Sequence, residues 1–128
     1  QRIGQDVFRE ALIEYWEGRC AVTGFAVPAL LRASHTKPWR GPGDRERLDV
    51  HNGLLLAVHL DALYDRGPTT LGDSGNVVFS ADVDGQARAA LGLEGRELRL
   101  RWLAPGHLGY LAYHRKHVFR KDALPPQG

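Results

Sequence analysis

Cysteine is almost missing from this chain of 128 residues. Cys20 stands alone, so no internal disulfide can form and no Cys-rich zinc knuckle can be built. Any metal held here must rely on His, Asp, Glu or Asn, and oxygen ligands suit a hard divalent ion such as magnesium or manganese. No apolar run approaches the roughly 20 residues that a membrane-spanning helix needs. The start, Gln1-Arg2-Ile3-Gly4, has neither an initiator Met nor a signal-peptide pattern, and reads as a piece of a longer chain. No Gly-x-Ser-x-Gly elbow is present, which speaks against a serine hydrolase. There is no internal repeat, and no low-complexity stretch beyond the tail Pro125-Pro126-Gln127-Gly128. Net charge is also scarce: a formal +2 does not by itself imply a nucleic-acid partner.

What remains is an ordinary globular composition, 43% hydrophobic and 25% charged, which argues against disorder. The length suits one domain with a real core. Residues 1–122 are expected to form it, with 123–128 as a flexible tail. The charge is unevenly spread. Residues 32–47 carry five basic side chains against two acidic, a net of +3, and residues 96–121 carry seven against one, a net of +6. Basic flanks around an acidic centre suit a polyanion held by its backbone while carboxylates hold a metal. The same charges also suit a solvated surface.

Hydrophobic spacing predicts an amphipathic helix over 5–17, through Val7, Phe8, Ala11, Leu12, Tyr15 and Trp16, with Gly18 as its C-cap. A short strand is expected at Cys20-Ala21-Val22, a turn at Thr23-Gly24, and a second strand from Leu30 to His35. Pro38 and Gly41-Pro42-Gly43-Asp44 form a loop, and Asn52-Gly53 reads as a turn. A helix over about 58–65 buries Leu60, Leu63 and Tyr64 and closes at Gly67-Pro68. A hairpin over 69–80 turns at Asp73-Ser74-Gly75-Asn76. A short helix at 86–91, a strand at 97–102 and a final helix at 108–120 complete an α+β domain.

The chemistry-bearing residues cluster at a strand ending in His35, a loop, Asn52, and a helix bearing His59, Asp61 and Asp65. Phosphodiester hydrolysis needs a base, a cation that stabilises the phosphorane and leaving oxygen, and a group that orients the base. A neutral imidazole suits the first role. Asp61 and Asp65 are four apart, so on a helix their carboxylates share one face and can grip one ion. Asn52, with donor and acceptor, can hold the base across the turn. Taken singly, these residues have plainer readings: a capping histidine, a turn, an Asp paired with Arg66.

Three strings in order carry more weight: Ser34-His35-Thr36-Lys37-Pro38-Trp39, Asn52-Gly53-Leu54-Leu55-Leu56, and His59-Leu60-Asp61-Ala62-Leu63-Tyr64-Asp65-Arg66-Gly67. Together they resemble the HNH endonucleases, in particular the subgroup found in bacterial restriction and defence proteins. The likeness extends to Arg2-Ile3-Gly4-Gln5, Phe8-Arg9, Gly18–Gly24 and Tyr113-His114-Arg115. It implies a ββα-metal (His-Me finger) core over about 20–67, with His35 as general base, Asn52 as the orienting residue and one divalent cation. Asp61 is the favoured metal ligand, with His59 competing or additional and Asp65 a further candidate. Many members carry an acidic or His ligand just before the base. Here that position is Ser34, so the ion would be held by fewer protein groups and more water.

Lys37, Arg40, Arg66, Arg115 and Lys116 are the candidate phosphate contacts. The resemblance further implies DNA as substrate, a bacterial cytoplasmic location, an N-terminal recognition domain elsewhere in the polypeptide, and a homodimer as one route to double-strand cutting. Ser34 also prompts an alternative, a catalytically decayed nucleic-acid-binding module. A scaffold for protein partners is the third class. His114 reads as a packed core histidine, His51 and His107 as loop residues, and Cys20 as a small buried residue.

Overall fold

In a computed structural model that describes residues 2–38, 41, 45–95 and 97–121, helix α1 (Arg2–Tyr15) starts the chain. Phe8, Leu12 and Trp16 recur every fourth residue and are buried along one side, which docks the helix onto the core. Gly18 closes it in the left-handed region at φ 72°, its N–H bonded to the Ile13 carbonyl at 2.8 Å. The helix therefore begins earlier than its hydrophobic spacing suggests and ends slightly sooner.

The expected strand at 20–22 is instead a tight turn. Gly24 N–H reaches back to the Cys20 carbonyl at 3.0 Å, and Cys20 N–H bonds Phe25 at 2.8 Å. With the chain reversing so soon, Ala21 makes only single backbone bonds on either side, to Leu55 and from Arg101.

Strand β1 (Leu31–His35) follows a short 3₁₀ turn and pairs antiparallel with β2 (Gly53–Ala57), Leu31 opposite Ala57 and His35 opposite Gly53. Between them lie two more 3₁₀ turns, Arg45–Leu48 and Val50–Asn52. Every residue of β2 is buried, because helices cover both faces of this small sheet. Helix α2 (Val58–Arg66) leaves β2 directly, and Gly67 terminates it at φ 109°. A Cβ at Gly67 would lie 2.9 Å from the Val118 carbonyl, so the glycine answers both to conformation and to close approach.

The second sheet is the hairpin β3 (Thr69–Leu71) and β4 (Val77–Phe79), as its turn residues predict. Helix α3 (Gly85–Ala90) is capped by Asp84, whose side chain accepts from Ala87 N–H at 2.8 Å. The expected strand at 97–102 reduces to one bridge, Asn76 with Arg99, because the segment crosses the tip of the hairpin rather than running beside β4.

Helix α4 (Leu108–His117) stops three residues before the predicted end. There Arg120 N–H leaves the helical ladder for the Gly67 carbonyl at 2.8 Å. The domain is α+β, as its sequence pattern indicates. The tail 123–128, Trp39 and Arg40 lie outside the described residues. No helix is long and apolar enough to cross a membrane among those described.

Candidate active site

Alternation along β1 decides what each side chain can touch. Ser34 and Thr36 face α2, where Thr36 Oγ1 accepts a hydrogen bond from the buried Tyr64 hydroxyl at 3.1 Å. Burial drives that phenol's pKa upward, so it stays a neutral donor. His35 faces the other way, against α1, where its imidazole lies flat on Phe8 with centroids 3.9 Å apart and planes 2° from parallel. His35 Nε2 meets the Arg47 carbonyl at 2.7 Å. A carbonyl can only accept, so Nε2 carries the proton and Nδ1 keeps the basic lone pair. Among the described residues Nδ1 has no hydrogen-bond partner.

Asn52 is buried and uses both ends of its amide. Its Oδ1 accepts from Lys37 N–H at 2.7 Å, and its Nδ2 donates to the Lys37 carbonyl at 3.2 Å and the Glu46 carbonyl at 3.0 Å. Its own carbonyl accepts from Thr36 N–H at 3.0 Å. Asn52 thus does not bond the imidazole itself. It pins both ends of the loop that leaves His35 and returns through Arg47, and so acts on the His35 imidazole through the backbone. A 2.7 Å ion pair between Lys37 and Glu46 spans the same loop.

On α2, Asp61 is half-buried and faces β1. Burial raises its pKa; the neighbouring Ser34 hydroxyl opposes the rise, Asp65 adds to it, and Arg32 opposes it. Ser34 Oγ is buried beside Asp61 and makes no hydrogen bond of good geometry. Asp61 and the exposed Asp65 lie one turn apart on the same flank. His59 does not join Asp61. Residues two apart on a helix point about 200° away from one another, so His59 is turned from Asp61; it lines one cavity of about 430 Å³ with Phe25, Leu30 and Leu93 and a second of about 590 Å³ with Asp65 and Arg66. Among the described residues no three of His, Cys, Asp and Glu come together in a group that could hold a metal ion. The expected set of Asp61, His59 and Asp65 is therefore not assembled, and its oxygen donors reduce to Asp61, Asp65 and Ser34 Oγ.

The candidate phosphate contacts separate by what they already hold. Arg66 and Lys116 are exposed. Arg115 donates to the Leu71 carbonyl at 2.8 Å and to Asp73 at 2.6 Å, which makes it a brace between α4 and the β3–β4 hairpin. Lys37 is paired with Glu46, and Arg40 lies outside the described residues. His114 is the packed core histidine its spacing suggests, between Thr70 Oγ1 at 2.7 Å and the Tyr64 carbonyl at 2.8 Å. Sequence reasoning missed Phe8 and Arg47 as neighbours of His35. Arg47 acts through its carbonyl, for which residue type gives no signal. Phe8 carries only the signal of a core position.

Residues 20–71, which run from the turn after α1 through β1, β2, α2 and β3, match the family model described as HNH endonuclease. Among solved structures, the Modification dependent TagI restriction endonuclease is similar, with a TM-score of 0.55 and 23% identity. That likeness, one of fold, covers 88% of this chain and 37% of the other, so the chain spans little more than a third of that relative's length. No curated protein matches the chain by sequence. His35, Asn52 and Asp61 stand on a strand, a loop end and a helix inside the segment that is similar to the HNH endonucleases.

Proposed function

We propose that this domain hydrolyses DNA phosphodiester bonds with His35 as general base, as the cleavage module of a larger bacterial restriction or defence protein. The observation that carries the reading is the state of His35. Its Nε2 is committed to the Arg47 carbonyl, which leaves Nδ1 as the proton acceptor, on a ring whose loop is clamped by Asn52. A water molecule hydrogen-bonded to Nδ1 loses its proton to the imidazole as its oxygen attacks phosphorus, and the bond to the leaving oxygen breaks on the opposite side. Held in one tautomer, the base needs no reorganisation in the step.

The β1–β2–α2 unit is read here as the ββα-metal core. The donor set fits a hard divalent cation such as magnesium or manganese that keeps most of its water: Asp61 is the principal ligand, Asp65 lies on the same flank, and the unpartnered Ser34 Oγ is a weak neutral donor. Such an ion, when bound, neutralises charge developing on the phosphorane and leaving oxygen. Arg66 and Lys116 are the exposed cations best placed to contact phosphates. Contacts of that kind position the duplex without reading its sequence, so target choice falls to another domain of the same polypeptide. A second copy of the domain would supply the cut on the other strand.

The test is cleavage of supercoiled plasmid with magnesium, manganese or EDTA by the parent, His35→Ala and Asp61→Ala. Metal-dependent nicking by the parent should fall by roughly 10²–10⁴-fold in His35→Ala. Equal cutting by parent and His35→Ala would refute the assignment. Ser34 at a ligand position favours one second reading, a decayed domain that binds nucleic acid without cutting it. Salt-sensitive DNA binding by a parent that cuts under no metal would establish that instead.

A further inference from the structure

We propose that α1 is part of the catalytic apparatus, with Phe8 as a positioning residue that fixes the plane of the His35 imidazole. The proposal rests on His35 being the base. A histidine ring held by one hydrogen bond can still rock about that bond. The parallel contact with Phe8 at 3.9 Å removes this freedom by fixing the ring's plane. Two orientations related by a half-turn then remain, and only one sets an N–H against the Arg47 carbonyl. Stack and hydrogen bond together leave Nδ1 a single direction, which neither achieves alone.

Two glycines show how closely the helix is fitted to this purpose. Gly53 stands opposite His35 in the β1–β2 ladder with φ −153°, extended backbone that any residue adopts. A Cβ there would sit 2.3 Å from Phe8 Cζ and 3.0 Å from Leu12 Cδ1. Glycine is required by the space Phe8 occupies and not by the backbone. At Gly4, in the first turn of α1, a Cβ would lie 2.6 Å from the Arg47 guanidinium. The helix thus meets the base directly through Phe8 and, by way of Arg47, at the residue whose carbonyl orients Nε2. All of α1 precedes residues 20–71, so the base is oriented by an element outside the family-matched segment.

Phe8→Leu keeps apolar bulk and removes the stack. With plasmid substrate its kcat should fall by about tenfold or more while KM is unchanged, because a small misplacement of a catalytic group acts on the chemical step. Long-range ¹H–¹⁵N spectra of His35 at mildly alkaline pH should pass from a single Nε2–H tautomer to a mixture. Leu12→Val, one turn further along the same buried side, is the control: it lowers stability but keeps both kcat and tautomer. Gly53→Ala displaces Phe8 without removing it and should reproduce the Phe8→Leu signature. A single Nε2–H tautomer in both Phe8→Leu and Gly53→Ala, or an equal kcat loss in Leu12→Val, would overturn the proposal. The spectra need no substrate. A parent that cleaves nothing therefore refutes the nuclease reading, while the His35 signals still decide what Phe8 does.

Discussion

Asn52 makes three side-chain hydrogen bonds in a buried position, so its amide can be dissected by substitution. Asn52→Ala leaves the Lys37 N–H and carbonyl without partners, while the Glu46 carbonyl keeps its bond from Asp49 N–H, and should cost about 1–3 kcal/mol in urea unfolding. Asn52→Asp is nearly isosteric, yet it turns the donating end into a carboxylate oxygen facing the Lys37 and Glu46 carbonyls. It should be the worse of the two at neutral pH, since a buried carboxylate with the single donor Lys37 N–H and two carbonyls against its other oxygen costs more than an absence. In acid the protonated carboxyl can donate to one carbonyl. The folded state then holds that proton more tightly than the unfolded chain does, so the deficit against the parent shrinks as pH falls and grows as it rises. A deficit independent of pH would mean that the Nδ2 bonds contribute little. The identity of this residue was legible in the sequence, but its target was not. Residue type says that an amide can both donate and accept; only the folded loop shows that it grips backbone rather than imidazole. Gly53 carries the same lesson, since beside an Asn it reads as a turn, whereas its real constraint is a phenyl ring 45 residues earlier in the chain.

Among elements, the junction between α1 and the 97–103 segment depends on one side chain. Arg101 donates to the carbonyls of Trp16 at 2.5 Å, Cys20 at 3.0 Å and Arg19 at 3.2 Å, and lies 4.9 Å over the Trp102 ring. These carbonyls belong to the chain as it leaves α1, where no intrahelical donor remains and a cation is favoured. Arg101→Ala should lower stability by about 2–3 kcal/mol. Arg101→Lys should recover less than half of that, because one ammonium cannot span a three-carbonyl fork. Neither variant should change the salt slope of DNA binding, and a reduced slope would place Arg101 among the phosphate contacts. From charge alone Arg101 and Arg115 belonged to a basic flank, since sequence cannot separate an arginine that meets phosphate from one that braces backbone. Elements with a long period were legible, as α1 and α2 show. The hairpin β3–β4 was legible from its turn residues. The misread strands at 20–22 and 97–102 are apolar enough for a strand but spend their backbone bonds on a tight turn and a hairpin tip. Helix α4 ends early for a tertiary reason, the bond from Arg120 to the Gly67 carbonyl.

For the whole molecule, two buried histidines on the last helical segment set the acid limit. His107 Nδ1 accepts from Ala104 N–H at 2.9 Å, so Nε2 carries the proton, buried without a partner near Trp16, Tyr15 and His51. His114 is enclosed between Thr70 and Tyr64, stacked on the Tyr64 ring at 3.8 Å. Burial lowers both pKa values to about 4 from the ordinary 6.5, with His51 adding to the effect at His107 and Arg115 at His114. Both rings are therefore neutral in the folded state while the unfolded chain takes up protons as pH falls below 6.5. Stability is fully present above that value, declines as pH falls toward about 4, and levels off once the folded state is protonated as well. Each site contributes up to roughly 3 kcal/mol over this range, a large share of what a domain of this size possesses. The two act on one element in two places, His107 fastening the start of α4 near the end of α1 and His114 fastening its middle to α2 and β3. Urea midpoints across the window should fall steadily in the parent and about half as steeply in His107→Gln. A flat profile would show that neither ring resists protonation in the fold. The acid limb of a cleavage profile should be assigned to His35 only where unfolding shows the domain intact.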